Sequence, residues 1–218
     1  MKLWSVAKLD KTKAGEIQSR YELPAIVAML LQIRNITTKD EIEGFLYNDS
    51  FIADPFEIKD MDKAVERILL AKKNNEKITI YGDYDVDGIT SIAILYKYLK
   101  NMGLEVGFYV PDRMVEGYGV NKDALDKIKA DGTAVIITVD TGITAIEEAD
   151  YAKSIGIDFI ITDHHECKES IPDVYAAIDP KRKDCEYPFK SLAGVGVVFK
   201  LIQALDSSEP IENLMDEY

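Results

Sequence analysis

Apolar positions change their rhythm near residue 78. Before that point they recur at helical spacing; beyond it they come as short unbroken runs separated by amphipathic stretches of helix length. In the first part, Pro24-Ala25-Ile26-Val27-Ala28-Met29-Leu30-Leu31 is a compact apolar helix pattern. Thr37-Thr38-Lys39-Asp40-Glu41 has capping-box spacing ahead of Ile42, Phe45 and Leu46. Asp54-Pro55-Phe56 punctuates, and Asp62 opens a helix predicted to turn Ala64, Val65, Ile68, Leu69 and Ala71 inward before the polar run Lys72-Lys73-Asn74-Asn75.

In the second part, strands are predicted over residues 78–81, 106–110, 134–139, 158–162 and 175–178. Helices are predicted over 90–102, 121–130, 143–155 and 195–205. Unbroken apolar strands joined by crossover-length helices need both faces covered. The expected fold class is therefore α/β: a doubly wound, mainly parallel sheet with helices on both faces, preceded by a small helical N-terminal segment. The expected division is a helical segment over 1–77 and the α/β domain over 78–218.

In such a sheet, ligands bind beyond the carboxyl ends of the strands. The first strand is followed by Gly82-Asp83-Tyr84-Asp85-Val86-Asp87-Gly88, the third by Asp140-Thr141-Gly142, the fourth by Asp163-His164-His165 and the last by Asp179-Pro180-Lys181-Arg182. These ends each supply an aspartate, and the chain's two histidines adjoin at one of them. If the first loop is extended, Asp83, Asp85 and Asp87 point the same way. Three carboxylates so close, with Asp140, need a cation or a raised pKa to coexist; local turn hydrogen bonds account for one or two of them. An EF-hand loop is excluded, because its twelfth position would be Ile94 rather than glutamate. Oxygen ligands with one or two imidazoles suit manganese or magnesium. More than three carboxylates exceed the needs of one ion and suggest two, about 3.5–4 Å apart, activating water against a phosphate ester or anhydride.

Charge and cysteine content narrow the picture. There are 26 Lys+Arg against 39 Asp+Glu, a net charge of −13, so the chain does not hold nucleic acid by bulk charge. No apolar stretch reaches membrane-spanning length, and residues 1–16 do not resemble a secretory signal, so a cytoplasmic location and no membrane partner are expected. Cys167 and Cys185 fit neither a disulfide framework nor a zinc motif and are expected to be free thiols.

As a set, these motifs resemble those of the DHH superfamily of phosphoesterases. Asp83-Tyr84-Asp85-Val86-Asp87-Gly88 is similar to its first motif, Val139-Asp140-Thr141-Gly142-Ile143 to its second, and Asp163-His164-His165 to the third, which gives the superfamily its name. Arg113-Met114-Val115-Glu116-Gly117-Tyr118-Gly119 and Leu192-Ala193-Gly194-Val195-Gly196-Val197-Val198-Phe199-Lys200 resemble its RecJ-type branch of single-strand-specific exonucleases, as do Asp54-Pro55-Phe56 and the segment starting at Asp60.

The resemblance implies two Mn2+ ions, with Mg2+ as the alternative. Asp85 and Asp87 would be ligands, Asp83 would lie close to the first ion, Asp140 would bridge, and His164 would bind the second. His165 would contact the scissile phosphate and Asp163 would orient the histidines. The implied reaction is in-line hydrolysis of single-stranded DNA from its 5′ end to mononucleotides, in DNA repair and recombination. Implied partners are single-stranded DNA, further C-terminal domains, and a helicase or single-strand-binding protein.

Arg113 and Tyr118 are candidates for pairing a phosphate and stacking on a base. The helix start at Gly194 is a candidate phosphate site, with close helix–sheet packing as the alternative. Lys181 and Arg182 face a choice between DNA backbone and solvent. Tyr81 stands where some members carry a metal-binding histidine. A fourth motif, bearing one more metal-binding aspartate, is expected beyond Tyr218, so residues 1–218 alone are expected to be inactive or weak; Asp179 is a poor substitute by its neighbours. Other readings are a phosphodiesterase for short oligonucleotides or cyclic dinucleotides, an inorganic pyrophosphatase, and an inactive replication scaffold.

Overall fold

The computed structural model describes residues 6–47, 53–112, 114, 116, 117, 119–206 and 214. The chain forms two compact units, Met1–Ile52 and Ala53–Tyr218.

The first unit holds helices α1 (Lys11–Tyr21), α2 (Ala25–Ile33) and α3 (Lys39–Tyr47) around Ile17, Ala28, Leu31 and Ile42. Asp10 caps α1 by accepting from the N–H groups of Thr12 and Lys13. The capping box ahead of α3 forms: Glu41 accepts from the Thr38 N–H, and Thr38 Oγ1 accepts from the Glu41 N–H.

The second unit begins with a short 3-10 turn, Pro55–Glu57, and α4 (Met61–Asn74). Then β1 (Lys77–Gly82), α5 (Val86–Asn101), β2 (Val106–Tyr109), α6 (Lys122–Ala130), β3 (Thr133–Val139), α7 (Ile146–Ser154), β4 (Asp158–Thr162), β5 (Ala176–Ile178) and α8 (Gly194–Leu205) alternate. The five strands form one wholly parallel sheet in the order β2-β1-β3-β4-β5, the α/β architecture the hydrophobic runs imply.

Strand residues alternate between two cores. Ile78, Ile80, Val135, Ile137 and Val139 meet α4, α5 and α8 on one face. Tyr81, Ile136, Phe159 and Ile161 meet α6 and α7 on the other. Each fully buried isoleucine contributes about 1.5–3 kcal/mol by leaving water, so a strand slip that moved it outward would be strongly disfavoured.

The break between compact units at Ile52/Ala53 precedes the change of rhythm at residue 78, because α4 packs against the sheet through Met61, Ala64, Ile68 and Ala71. Leu69, expected inward on α4, is 45% exposed. Arg67 takes an inward position instead, and its guanidinium bonds Asp158 and pairs with Glu76.

The strand order fixes where chemistry can gather. β1, β3 and β4 are neighbours, and the direction of winding reverses between β1 and β3. A crevice opens at such a reversal, at the carboxyl ends of the strands. The loops beginning at Asp83, Asp140 and Asp163 leave the sheet side by side there.

Candidate metal centre

The loop after β1 is tightly folded. A Cβ on Gly82 would stand 2.5 Å from Ile92 Cδ1, and one on Gly88 would stand 2.5 Å from the Asp83 carbonyl oxygen. The loop does not run on as an extended strand. Asp85 is the N-cap of α5, accepting from the Gly88 N–H at 3.0 Å, and Asp87 lies within the first turn of that helix. Asp83 is buried and accepts from the Tyr84 N–H. Helix capping, rather than strand alternation, therefore sets the directions of these carboxylates.

Asp140 sits at the end of β3 with φ 57°, a left-handed conformation that aspartate tolerates better than most side chains. Its N–H donates to the Thr162 carbonyl, which locks the turn to β4. Gly142, at φ 115°, completes the turn where a Cβ would meet Thr138 Oγ1 at 2.6 Å. The Asp140 carboxylate is 2% exposed, and its Oδ1 makes no hydrogen bond of acceptable geometry. His164 Nε2 nevertheless stands 3.0 Å from that oxygen. Two donor atoms so close without a hydrogen bond match one edge of an octahedral metal site, about 3 Å for bonds near 2.1 Å. Burial, then the charges of Asp87 and Asp85, push the Asp140 carboxyl up to about 7.

The third loop is organised by Asp163. Its Oδ1 accepts from the N–H groups of His164 and His165 and from His165 Nδ1 at 2.7 Å, while Oδ2 accepts from the Ile143 N–H. Burial alone would raise its pKa, but His165 and these backbone donors hold it below the usual aspartate value. The Asp163 hydrogen bond raises His165 to about 8.

Among the described residues, ligand atoms converge in two groups, each with its members within 4.8 Å of one another. One is Asp83, Asp85 and Asp140; the other is Asp140, His164 and His165. Asp140 belongs to both. The donor set, mostly carboxylate with imidazole, fits manganese or magnesium.

Of the other sequence candidates, Asp87 and Gly194 meet each other, and Asp87 Oδ2 also stands 3.6 Å from His164 Nε2. The N–H groups of Gly194 and Val195 donate to the two Asp87 oxygens at 2.7 Å each, so these two amides of the α8 start are already engaged. Arg113 and Tyr118 lie outside the described residues. Glu116 between them bonds the Tyr109 hydroxyl, the Asp112 N–H and Lys127, and these partners hold it down near about 2. Tyr81 is buried, donates to the Gly119 carbonyl and stacks on Tyr109, so it packs the core rather than facing the carboxylates. Asp179 is buried against the Lys181 N–H and Cys167 and belongs to neither ligand group. Arg182 is buried and tied to Asp60, Asp184 and the Ala177 carbonyl. Lys181 pairs with Glu166 at 3.2 Å. The close approach of α8 to Asp140 left no trace in the local pattern; only glycine at 194 hinted at a tight contact.

The family model described as DHH family, N-terminal domain, matches residues 77–218. Single-stranded-DNA-specific exonuclease RecJ of Bacillus subtilis (strain 168) is 46% identical over 212 residues, covering 97% of this chain and 27% of that protein. The Escherichia coli (strain K12) protein of the same name is 36% identical, covering 84% of this chain and 32% of its own length. A crystal structure of exonuclease RecJ bound to manganese superimposes with a TM-score of 0.64 at 31% identity, over 69% of this chain and 38% of that one. The chain thus spans about a third or less of the length of these curated relatives. It belongs to the DHH family, with the N-terminal domain of that family in residues 77–218.

Proposed function

We propose that these residues form the hydrolytic centre of a 5′-to-3′ exonuclease for single-stranded DNA, holding two divalent ions, Mn2+ or Mg2+. The observation that carries the reading is Asp140: buried, with an unbonded oxygen, and common to both groups of ligand atoms. Asp83 and Asp85 would complete one ion's protein ligands, and His164 the other's. Once bound, such ions would polarise a water and a phosphoryl oxygen.

The side chains supply the rest. Asp163 holds His165 by Nδ1 and stabilises the imidazolium, a cation suited to an anionic phosphate oxygen. Cations held there would also offset part of a net charge of −13 that repels the substrate. The names of the relatives support single-stranded DNA as substrate. A role in DNA repair and recombination, a cytoplasmic location and a helicase or single-strand-binding partner belong to the same reading. Among the described residues, no helix is long and apolar enough to cross a membrane.

The test is digestion of single-stranded oligonucleotides, labelled at one end or the other, by the protein at the length of its relatives. Mononucleotides should leave from the 5′ end with Mn2+ and stop with chelator. Cleavage of cyclic dinucleotides or pyrophosphate but not of the oligonucleotides would reject this substrate, and activity that survives chelation would reject the metal centre.

A further inference from the structure

The loop between β2 and α6 leaves the same edge of the sheet as the loops of the metal centre, next to β1. It reaches into solvent at Met114, which is 90% exposed, yet the Glu116 side chain within it is only 13% exposed. Three elements meet that carboxylate. Oε1 accepts from the Tyr109 hydroxyl at the end of β2 and from Lys127 Nζ of α6 at 3.1 Å, and Oε2 accepts from the Asp112 N–H at 2.8 Å. The Glu116 N–H donates back to the Asp112 carbonyl at 2.8 Å, which closes residues 112–116 into a turn. The far end of the loop is fastened as well: Tyr81 donates to the Gly119 carbonyl at 2.9 Å and accepts from Asn121 Nδ2. Tyr81 and Tyr109 are register partners on neighbouring strands, and their rings stack 5.4 Å apart. A stacked pair of tyrosines thus holds both ends of one loop, and one of the pair stands on β1 two residues before Asp83.

Surface loops are commonly mobile, and holding one still removes chain entropy. Ordering that precedes binding favours it, because the ligand then meets a formed surface. Arg113 and Tyr118, suited by their chemistry to a phosphate and a base, fall in sequence between Asp112 and Gly119. We propose that Glu116 is a positioning residue for the substrate: by tying Asp112 to Tyr109 and Lys127 it keeps the loop of residues 112–119 formed beside the metal centre before the single strand arrives. The inference rests on reading the site as a single-strand nuclease. Glu116 belongs to neither group of ligand atoms, so it acts on capture of the strand and not on the hydrolytic step.

The test is steady-state digestion of single-stranded oligonucleotides with Mn2+ by the protein at the length of its relatives, with the fold of each variant checked by circular dichroism. Glu116→Gln should raise KM about tenfold and leave kcat within about twofold, because a bound strand re-forms the loop. Tyr109→Phe keeps the stacked ring and removes one donor, so it should raise KM in the same way by less. The double variant should fall short of the product of the two single effects, since both remove the same bond. Tyr109→Phe decides alone if Glu116→Gln fails to fold. Wild-type KM in both variants, or a loss carried by kcat, would overturn the positioning role. A wild-type protein that digests no single-stranded DNA would overturn the nuclease reading on which that role rests.

Discussion

Asp140 and Asp179 are both buried and both carry a carboxyl pushed up to about 7, in each case chiefly by burial. A folded-state pKa raised above the unfolded 3.8 means that the folded chain binds more protons between those values. The associated stability is whole below about pH 4 and is lost as pH rises through about 7. Asp163 and His165 act in the opposite and the same direction respectively. The lowered Asp163 contributes above its unfolded value and is lost in acid, while His165, raised to about 8, contributes below about 6.5 and is lost as pH rises through about 8. The metal-free chain should therefore melt at lower temperature at pH 8 than at pH 5. Asp179→Asn should recover about 1–3 kcal/mol at pH 8 and nothing at pH 4, read by denaturant unfolding at the two pH values; equal effects at both would refute a buried, titrating Asp179. At Asp140 the same pKa implies that Mn2+ displaces a proton near neutrality. Calorimetry in buffers of different ionisation enthalpy should detect proton release at pH 6.5, which falls away by pH 8.5.

At the scale of elements, the strands were legible almost to the residue, because unbroken runs such as Val135 to Val139 have no other way to bury both faces. Helix starts were less legible, since capping decides them. α5 begins at Val86 rather than at residue 90 because Asp85 caps it, which recruits two acidic residues that read as loop. α7 begins at Ile146 rather than at residue 143 because Asp140 and Gly142 use positive φ to turn the chain first. Glycines test this account. Gly88→Ala, whose Cβ would meet the Asp83 backbone at 2.5 Å, should destabilise by about 2–3 kcal/mol. Gly15→Ala in α1, with nothing within 4 Å, should stabilise by about 0.5–1 kcal/mol. Thermal melts of the two variants check both signs. Removing the buried Arg182 link by Arg182→Ala leaves Asp60 with Lys63 as its remaining ion-pair partner and should lower stability by about 3–5 kcal/mol.

At the scale of the molecule, the site is a consequence of strand order. Asp83, Asp140 and Asp163 were recognisable as strand-end residues, and parallel topology alone put them on one edge of the sheet. Their grouping into two sets that share Asp140 depended on left-handed φ at Asp140, which has no local sequence signal, and on the seating of α8, at which only Gly194 hinted. For the same reason the bonds of Asp87 to the start of a helix a hundred residues away had no signal in its own loop. The measurement that bears most directly on the whole account is calorimetric titration of Mn2+ into the chain and into Asp140→Ala. If the two ion positions share Asp140, the wild-type chain binds Mn2+ and the single substitution weakens both binding events together. An Asp140→Ala isotherm that matches wild type, or that loses one event and leaves the other intact, contradicts the shared-carboxylate centre.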